Sequence, residues 1–245
     1  MINKIIRKLK KIFINEKEKI VSKNYLSHSY QVKRANMKKI NYKYYPRHIP
    51  FMKEQIWEAK DNLKIYNNQA IHEFRQIINY IDKPKKILEL GCGLGRGSIY
   101  LNNILNYKKK QFYLMDRTGY TFNSGDYNPT KDEYYNDLFL TKEFSELNSI
   151  KKPIVLDTEI DNWKQLPKFD LIFSFCSFGF HVPIERYMNK ILKLTDSKTT
   201  LIFGVRGNYY NHTSFSKYFK NVLYKQGVPS KNYPLQNWLI LREKI

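Results

Sequence analysis

The stretch KKILELGCGLGRGSIYL, residues 85–101, sets four glycines, Gly91, Gly93, Gly95 and Gly97, directly behind a short apolar run. A chain gives up side chains where its backbone must turn tightly or approach another group closely. The run KKILEL reads as a short buried strand and the residues after Gly95 as a helix, so the unit is strand, glycine-rich turn, helix. A phosphate-cradling P-loop would need Gly-Lys-Ser/Thr entering that helix, and Arg96-Gly97-Ser98 stands there instead. A dinucleotide fingerprint needs glycine at its first, third and sixth positions. The sixth is Arg96 counted from Gly91 and Ser98 counted from Gly93. What remains is E-x-G-x-G-x-G, with Glu89 at the end of the strand.

Outward from this unit the texture alternates. QFYLMD (111–116), KPIVLD (152–157), FDLIFSFCS (169–177) and TTLIFGV (199–205) read as further strands, and helical patterns such as PIERYMNKILKL fall between some of them. Such alternation predicts βαβ units and a mostly parallel sheet. NVLYKQGV and NWLILREKI, parted by a proline-containing loop, predict a closing antiparallel hairpin. Before residue 84 the pattern is helical: FMKEQIWEAKDNLKIY (51–66) and AIHEFRQIINYI lead to a break at Asp82–Pro84. The expected organisation is a basic helical extension over 1–83, serving as substrate cap, membrane contact or oligomer contact, and an α/β domain over 84–245.

At 245 residues and 42% hydrophobic content the chain can bury a full core. No run approaches the roughly 20 apolar residues that span a bilayer, and no signal-peptide core opens the chain, so a cytoplasmic protein is expected. Cys92 and Cys176 show no CxxC spacing and read as small core residues rather than a disulfide or zinc pair. The net charge of +21 is unevenly spread: residues 1–43 hold thirteen Lys or Arg against two acids. That bias favours an anionic partner, although a lysine-rich composition can also be simply solvated. Ile2, Ile5, Ile6, Leu9, Ile12 and Phe13 share one face of MINKIIRKLKKIFINEKEKI and lysines fill the other. This predicts a basic amphipathic helix, docked on an inner membrane face or packed on the domain.

ILELGCGLGRGS resembles motif I of the class I S-adenosylmethionine-dependent methyltransferases, and the later motifs follow in that family's order along residues 85–245. The resemblance implies a Rossmann-like fold with a mostly parallel seven-stranded sheet, and S-adenosyl-L-methionine as cofactor. It implies that backbone amides at Gly91, Cys92, Gly93 and Gly95 approach the ligand, and that Glu89 meets its ammonium directly or through water. Asp116 would hold the ribose hydroxyls, with Arg117 beside it. Asp157, with Thr158, would reach the adenine, Glu159 being a rival for that place. LPKFDLIFS then resembles the approach to strand four, where Ser174 would border the cofactor. A donor that offers a cation and a diol calls for carboxylates and needs no phosphate-binding lysine.

The acceptor is expected beyond strand four, in FSFCSFGFHVPIERY. No Asn/Asp-Pro-Pro-aromatic set occurs there, which disfavours methylation of a base amino group. His181 is the candidate general base, since an imidazole titrating near neutrality suits removal of a hydroxyl proton; the alternative is a histidine making structural hydrogen bonds. Phe180, Arg206, His212, Arg47 and His48 are the substrate-binding candidates. Asp126, Asp132 and Asp137 are too scattered to predict a metal site. The segment FDLIFSFCSFGFHVPIERYM with the basic N-terminus is similar to bacterial sugar O-methyltransferases of polysaccharide clusters, including those acting on capsular heptoses. That likeness implies a nucleotide-linked sugar as substrate and a homo-oligomer or peripheral membrane contact as candidates. Nucleic acid is not an expected partner, and RNA methyl transfer is the runner-up. A non-catalytic membrane-associated protein with the same fold is the third reading.

Overall fold

The computed structural model describes residues 71–93, 95–105, 107, 109–116, 138–159, 161–175, 177–179, 182–205, 212–228 and 236–245. The expected amphipathic helix of residues 1–20, the helical pattern at 51–66, and Arg47, His48, Arg117, Asp126, Asp132, Asp137, Cys176, Phe180, His181 and Arg206 lie outside them.

Seven strands form one sheet: β1 (Lys86–Leu90), β2 (Gln111–Asp116), β3 (Ile154–Asp157), β4 (Leu171–Ser174), β5 (Thr200–Val205), β6 (Phe219–Lys225) and β7 (Asn237–Lys244). Their spatial order is β3-β2-β1-β4-β5-β7-β6. The first five run parallel, whereas β7 pairs antiparallel with both β5 and β6. The Rossmann-like sheet and its C-terminal antiparallel pair are therefore as the sequence predicts. The hairpin closes the sheet with β7 inserted between β5 and β6.

The central strands are apolar on both sides because both faces are covered. One layer gathers Phe74, Ile77, Ile99, Tyr100, Phe173, Phe175 and Trp238; the opposite layer gathers Leu88, Leu90, Met115, Ile172, Ile184, Met188 and Phe203. The helical residues 71–77 (α1) continue into a 3-10 turn at Ile78–Tyr80 and lie in the first layer. They precede the division expected at residue 83 and yet share the core of the sheet. Glu73, 2% exposed, meets Arg96 at 2.9 Å, and Gln76 accepts from the Val228 amide and the Trp238 indole. Polar as well as apolar groups thus seat α1.

Among the described residues three helices connect the strands: α2 (Arg96–Ile104), α3 (Leu138–Leu147) and α4 (Ile184–Lys193). Gly95, at φ +77°, is the N-cap of α2, and Pro183, with φ −57°, precedes α4. In α4, Glu185 stands in the first turn and Lys190 and Lys193 in the last, matching the helix dipole. Between β3 and β4 only a 3-10 turn forms, Trp163–Gln165. Trp163 is buried, donates its indole N–H to Thr158 O at 3.1 Å and stacks on Tyr187, so one large ring fills space over the sheet. β4 ends sooner than the apolar run FDLIFSFCS predicts because the Ser174 hydroxyl accepts from the Phe178 amide and turns the chain. Serine to alanine at 174 is expected to remove about 1 kcal/mol of stability, read from urea unfolding.

Candidate active site

The strand order reverses between β1 and β4, since β2 and β3 continue to one side and β5 to the other. A crevice outside the carboxyl ends of the strands at such a switch point is the place where an open α/β sheet binds ligands. Leu90, Asp116, Asp157, Ser174 and Val205 end the five parallel strands on this edge. The glycine-rich turn rises from it.

The turn is held by the neighbouring strand. Met115 O accepts from the amides of Gly91 and Cys92 at 2.8 and 3.1 Å, and Cys92 O accepts from Gly95 N at 2.8 Å. Gly91, Gly93 and Gly95 all have positive φ. At Gly91 the backbone also runs against Ser177, just past β4: an added Cβ would stand 2.0 Å from the Ser177 Cβ. Two strand ends therefore meet at the crevice with no room for a side chain. Cys92 is a buried free thiol, as expected, and burial with the Asp116 and Glu89 charges pushes its pKa well up.

Glu89 is 4% exposed and accepts from Ser98 N at 2.8 Å, within the first turn of α2. A Cβ at Gly97 would come 2.5 Å from its Oε1, which is why this fourth glycine is needed. Among the described residues Glu89 thus contacts the helix that follows the turn, through Ser98 and Gly97. Burial pushes its carboxyl from 4.5 up to about 7, against the Ser98 and Gly97 hydrogen bonds and the Arg96 charge, which pull it down. Because the folded-state value is raised, the folded chain retains a proton that the unfolded chain releases. The associated stability is full below about pH 4.5 and is lost as pH rises through about 7, a loss of about 3 kcal/mol. Wild-type urea midpoints should therefore fall more steeply between about pH 5 and about pH 8 than those of Glu89→Gln, whose amide does not titrate. Equal slopes would remove Glu89 as the source.

Asp116 Oδ2 accepts from Gly93 N at 2.7 Å, and Asp116 O accepts from Thr158 N at 2.9 Å. Asp157 pairs with Asp116 across β2 and β3; its Oδ1 accepts from Glu159 N, and its amide donates to Asp161 Oδ2. Asp157 is buried, whereas Glu159 is exposed and receives the Tyr187 hydroxyl at 3.3 Å. The Thr158 side chain is also buried, and Ser174 is sealed beneath the edge on the Phe178 amide. Glu89, Gly91, Cys92, Gly93, Gly95, Asp116, Asp157, Thr158 and Ser174 thus come together along one edge. His212 begins the 3-10 turn His212–Phe215 after β5.

Sequence reasoning passes over α3. Its Thr141 donates to Gly93 O at 2.6 Å, and Ser145 Oγ would stand 2.9 Å from a Cβ at Gly95. Thr141, Ser145 and the following Asn148 are buried but polar, so hydropathy spacing cannot mark this face as inward. Ser177 and Tyr187 are equally silent, since only the folded chain brings them to Gly91 and Glu159.

A family model described as "Tellurite resistance protein TehB" matches residues 51–201. A Haemophilus influenzae protein, "Probable S-adenosyl-L-methionine-dependent methyltransferase TehB", is 31% identical over 120 residues, covering 41% of this chain. The match spans 36% of that relative's length. Among solved structures, one from Nostoc punctiforme assigned to the O-methyltransferases superposes with a TM-score of 0.50 at 13% identity. It covers 77% of this chain and 60% of that one. A likeness this distant bears on the fold alone.

Proposed function

We propose, because this chain belongs to the family of the tellurite resistance protein TehB, that it is an S-adenosylmethionine-dependent methyltransferase acting on a sugar hydroxyl of a nucleotide-linked sugar. The observation that carries the first part is the glycine-rich turn at the carboxyl edge beside β1 and β4, where the Gly93 N–H meets the Asp116 carboxylate. These residues fit the cofactor: Gly91, Gly93 and Gly95 carry the turn in positive-φ conformations without side chains, and the strand ends bring the Asp116 and Asp157 carboxylates to the same edge. When bound, S-adenosylmethionine supplies an activated methyl group. Gly91, Cys92, Gly93 and Gly95 would shape the surface on which it rests, Glu89 would meet its ammonium directly or through water, and Asp116 would hold its diol. Asp157 and Thr158 border the adenine end, and Glu159 remains the alternative there. In the acceptor half, His181 takes the hydroxyl proton, and Phe180, Arg206, His212, Arg47 and His48 hold the sugar and its phosphates. The sugar reading is supported by the resemblance of residues 169–188 to sugar O-methyltransferases and by the +21 charge, which favours an anionic substrate. In this reading residues 1–83 cap the substrate or contact an anionic membrane surface or a second copy of the chain.

Incubation with labelled S-adenosylmethionine and a panel of nucleotide-linked sugars, followed by mass analysis, tests both parts. A singly methylated nucleotide sugar is expected. Transfer to tellurite alone, included because of the family name, would keep the methyltransferase and remove the sugar. Transfer to RNA alone, lost steeply with salt, would favour the runner-up. No transfer to any acceptor would overturn the reading.

A further inference from the structure

We infer that Thr141, on α3, is a positioning residue that sets the cofactor-binding turn by clamping the Gly93 peptide; the inference rests on the cofactor reading above. Gly93 is gripped on both sides. Its N–H goes to Asp116 Oδ2 at 2.7 Å, and its carbonyl receives the Thr141 hydroxyl at 2.6 Å. A helical threonine commonly returns its hydroxyl to the carbonyl four residues earlier. Thr141 makes this contact to a residue 48 positions away, from a site that is 0% exposed. One turn further on, Ser145 presses on Gly95 so closely that a Cβ there would lie 2.9 Å from its Oγ. Two successive turns of α3 therefore template two alternate glycines. The start of the turn is fixed from β2 through Met115 O, but the carbonyl of Gly93 is directed by Thr141.

The consequence runs through Asp116. The Gly93 N–H lies in the peptide plane shared with Cys92, and the Gly93 carbonyl lies in the plane that follows. The two rigid planes meet at the Gly93 Cα, so holding both pins the φ and ψ of a residue that otherwise has wide backbone freedom, and with them the N–H that meets the Asp116 carboxylate. Loss of the Thr141 donor leaves a part-buried carbonyl without that hydrogen bond and frees the plane to rotate. The carboxylate proposed for the ribose diol then loses its fixed orientation. Thr141 acts on cofactor affinity through Gly93 and Asp116 and touches no reacting atom.

Thr141→Val keeps the shape and removes the hydroxyl; Thr141→Ser keeps the hydroxyl. In the valine variant we expect hydrogen exchange at the Gly93 and Gly95 amides to accelerate. S-adenosylmethionine affinity by calorimetry should fall about tenfold, with kcat at saturating cofactor changed less than about threefold. The serine variant should return both exchange and affinity to near wild type. If valine prevents folding, Thr141→Ala reports the same loss. Wild-type exchange and affinity in the valine or alanine variant would overturn the clamp, as would a serine variant as weak as valine. Should the wild-type chain bind no S-adenosylmethionine, the cofactor reading and the affinity role of Thr141 fall together. Exchange at Gly93 then decides separately whether the clamp itself exists.

Discussion

Gly91→Ala is expected to lose cofactor binding and to destabilise the chain by about 2 to 5 kcal/mol. Two causes add. Gly91 has φ +63°, a left-handed conformation that costs an L-residue about 1 to 2 kcal/mol. The new Cβ would also stand 2.0 Å from the Ser177 Cβ and 2.2 Å from its Oγ, and forcing extra atoms into a packed site costs about 1 to 3 kcal/mol. Relief of that contact requires the Gly91 turn or Ser177 to shift, at the carboxyl edge where the ligand is proposed to lie. The obstruction comes from the Ser177 side chain, so Ser177→Gly in the same chain should recover the packing share and leave the conformational share. Urea unfolding of the two single variants and the double variant isolates the coupling. A Gly91→Ala chain that binds S-adenosylmethionine like wild type would show that the crevice is elsewhere.

His181→Ala is expected to lower turnover by at least about 10²-fold with cofactor affinity near wild type, the signature of a lost proton acceptor. The described residues on either side argue for this position. Val182 N donates to Ser177 O at 3.1 Å and Gly179 N to Val182 O at 2.8 Å, so the described residues that flank His181 are joined to each other and to Ser177, just past β4. Pro183 then opens α4. His181→Asn separates a base from a hydrogen-bonding group, because an amide accepts a hydrogen bond but not a full proton near neutral pH. An asparagine variant of nearly full activity would remove His181 as base and turn attention to His212, Asp126 or Asp132. Thermal unfolding of both variants distinguishes lost chemistry from lost fold.

Much of this protein is legible along the chain. Short apolar runs bounded by turn residues predict β1, β2 and β5 because a parallel strand covered on both faces must be continuously apolar. The glycines after KKILEL predict a turn on which a ligand sits, since three of them take backbone conformations that other residues resist. Leucine, isoleucine and methionine at helical spacing predict α4. These are local signals, carried by neighbours in sequence.

What only the tertiary structure decides involves partners far apart. β7 lies between β5 and β6 with its apolar residues, Trp238 to Leu241, buried as an interior strand's are, while β6 is largely exposed or half-exposed. Packing sets Glu89 against the first turn of α2, where Ser98 N meets it and burial raises its pKa. α3 escapes a hydropathy reading because its inward residues are Thr141 and Ser145, whose fit to the glycine turn is one of hydrogen bonding and close approach rather than apolarity. The composition of a strand reports how deeply it is buried. Which carboxylate meets which amide depends on distances that exist only once the strands are side by side.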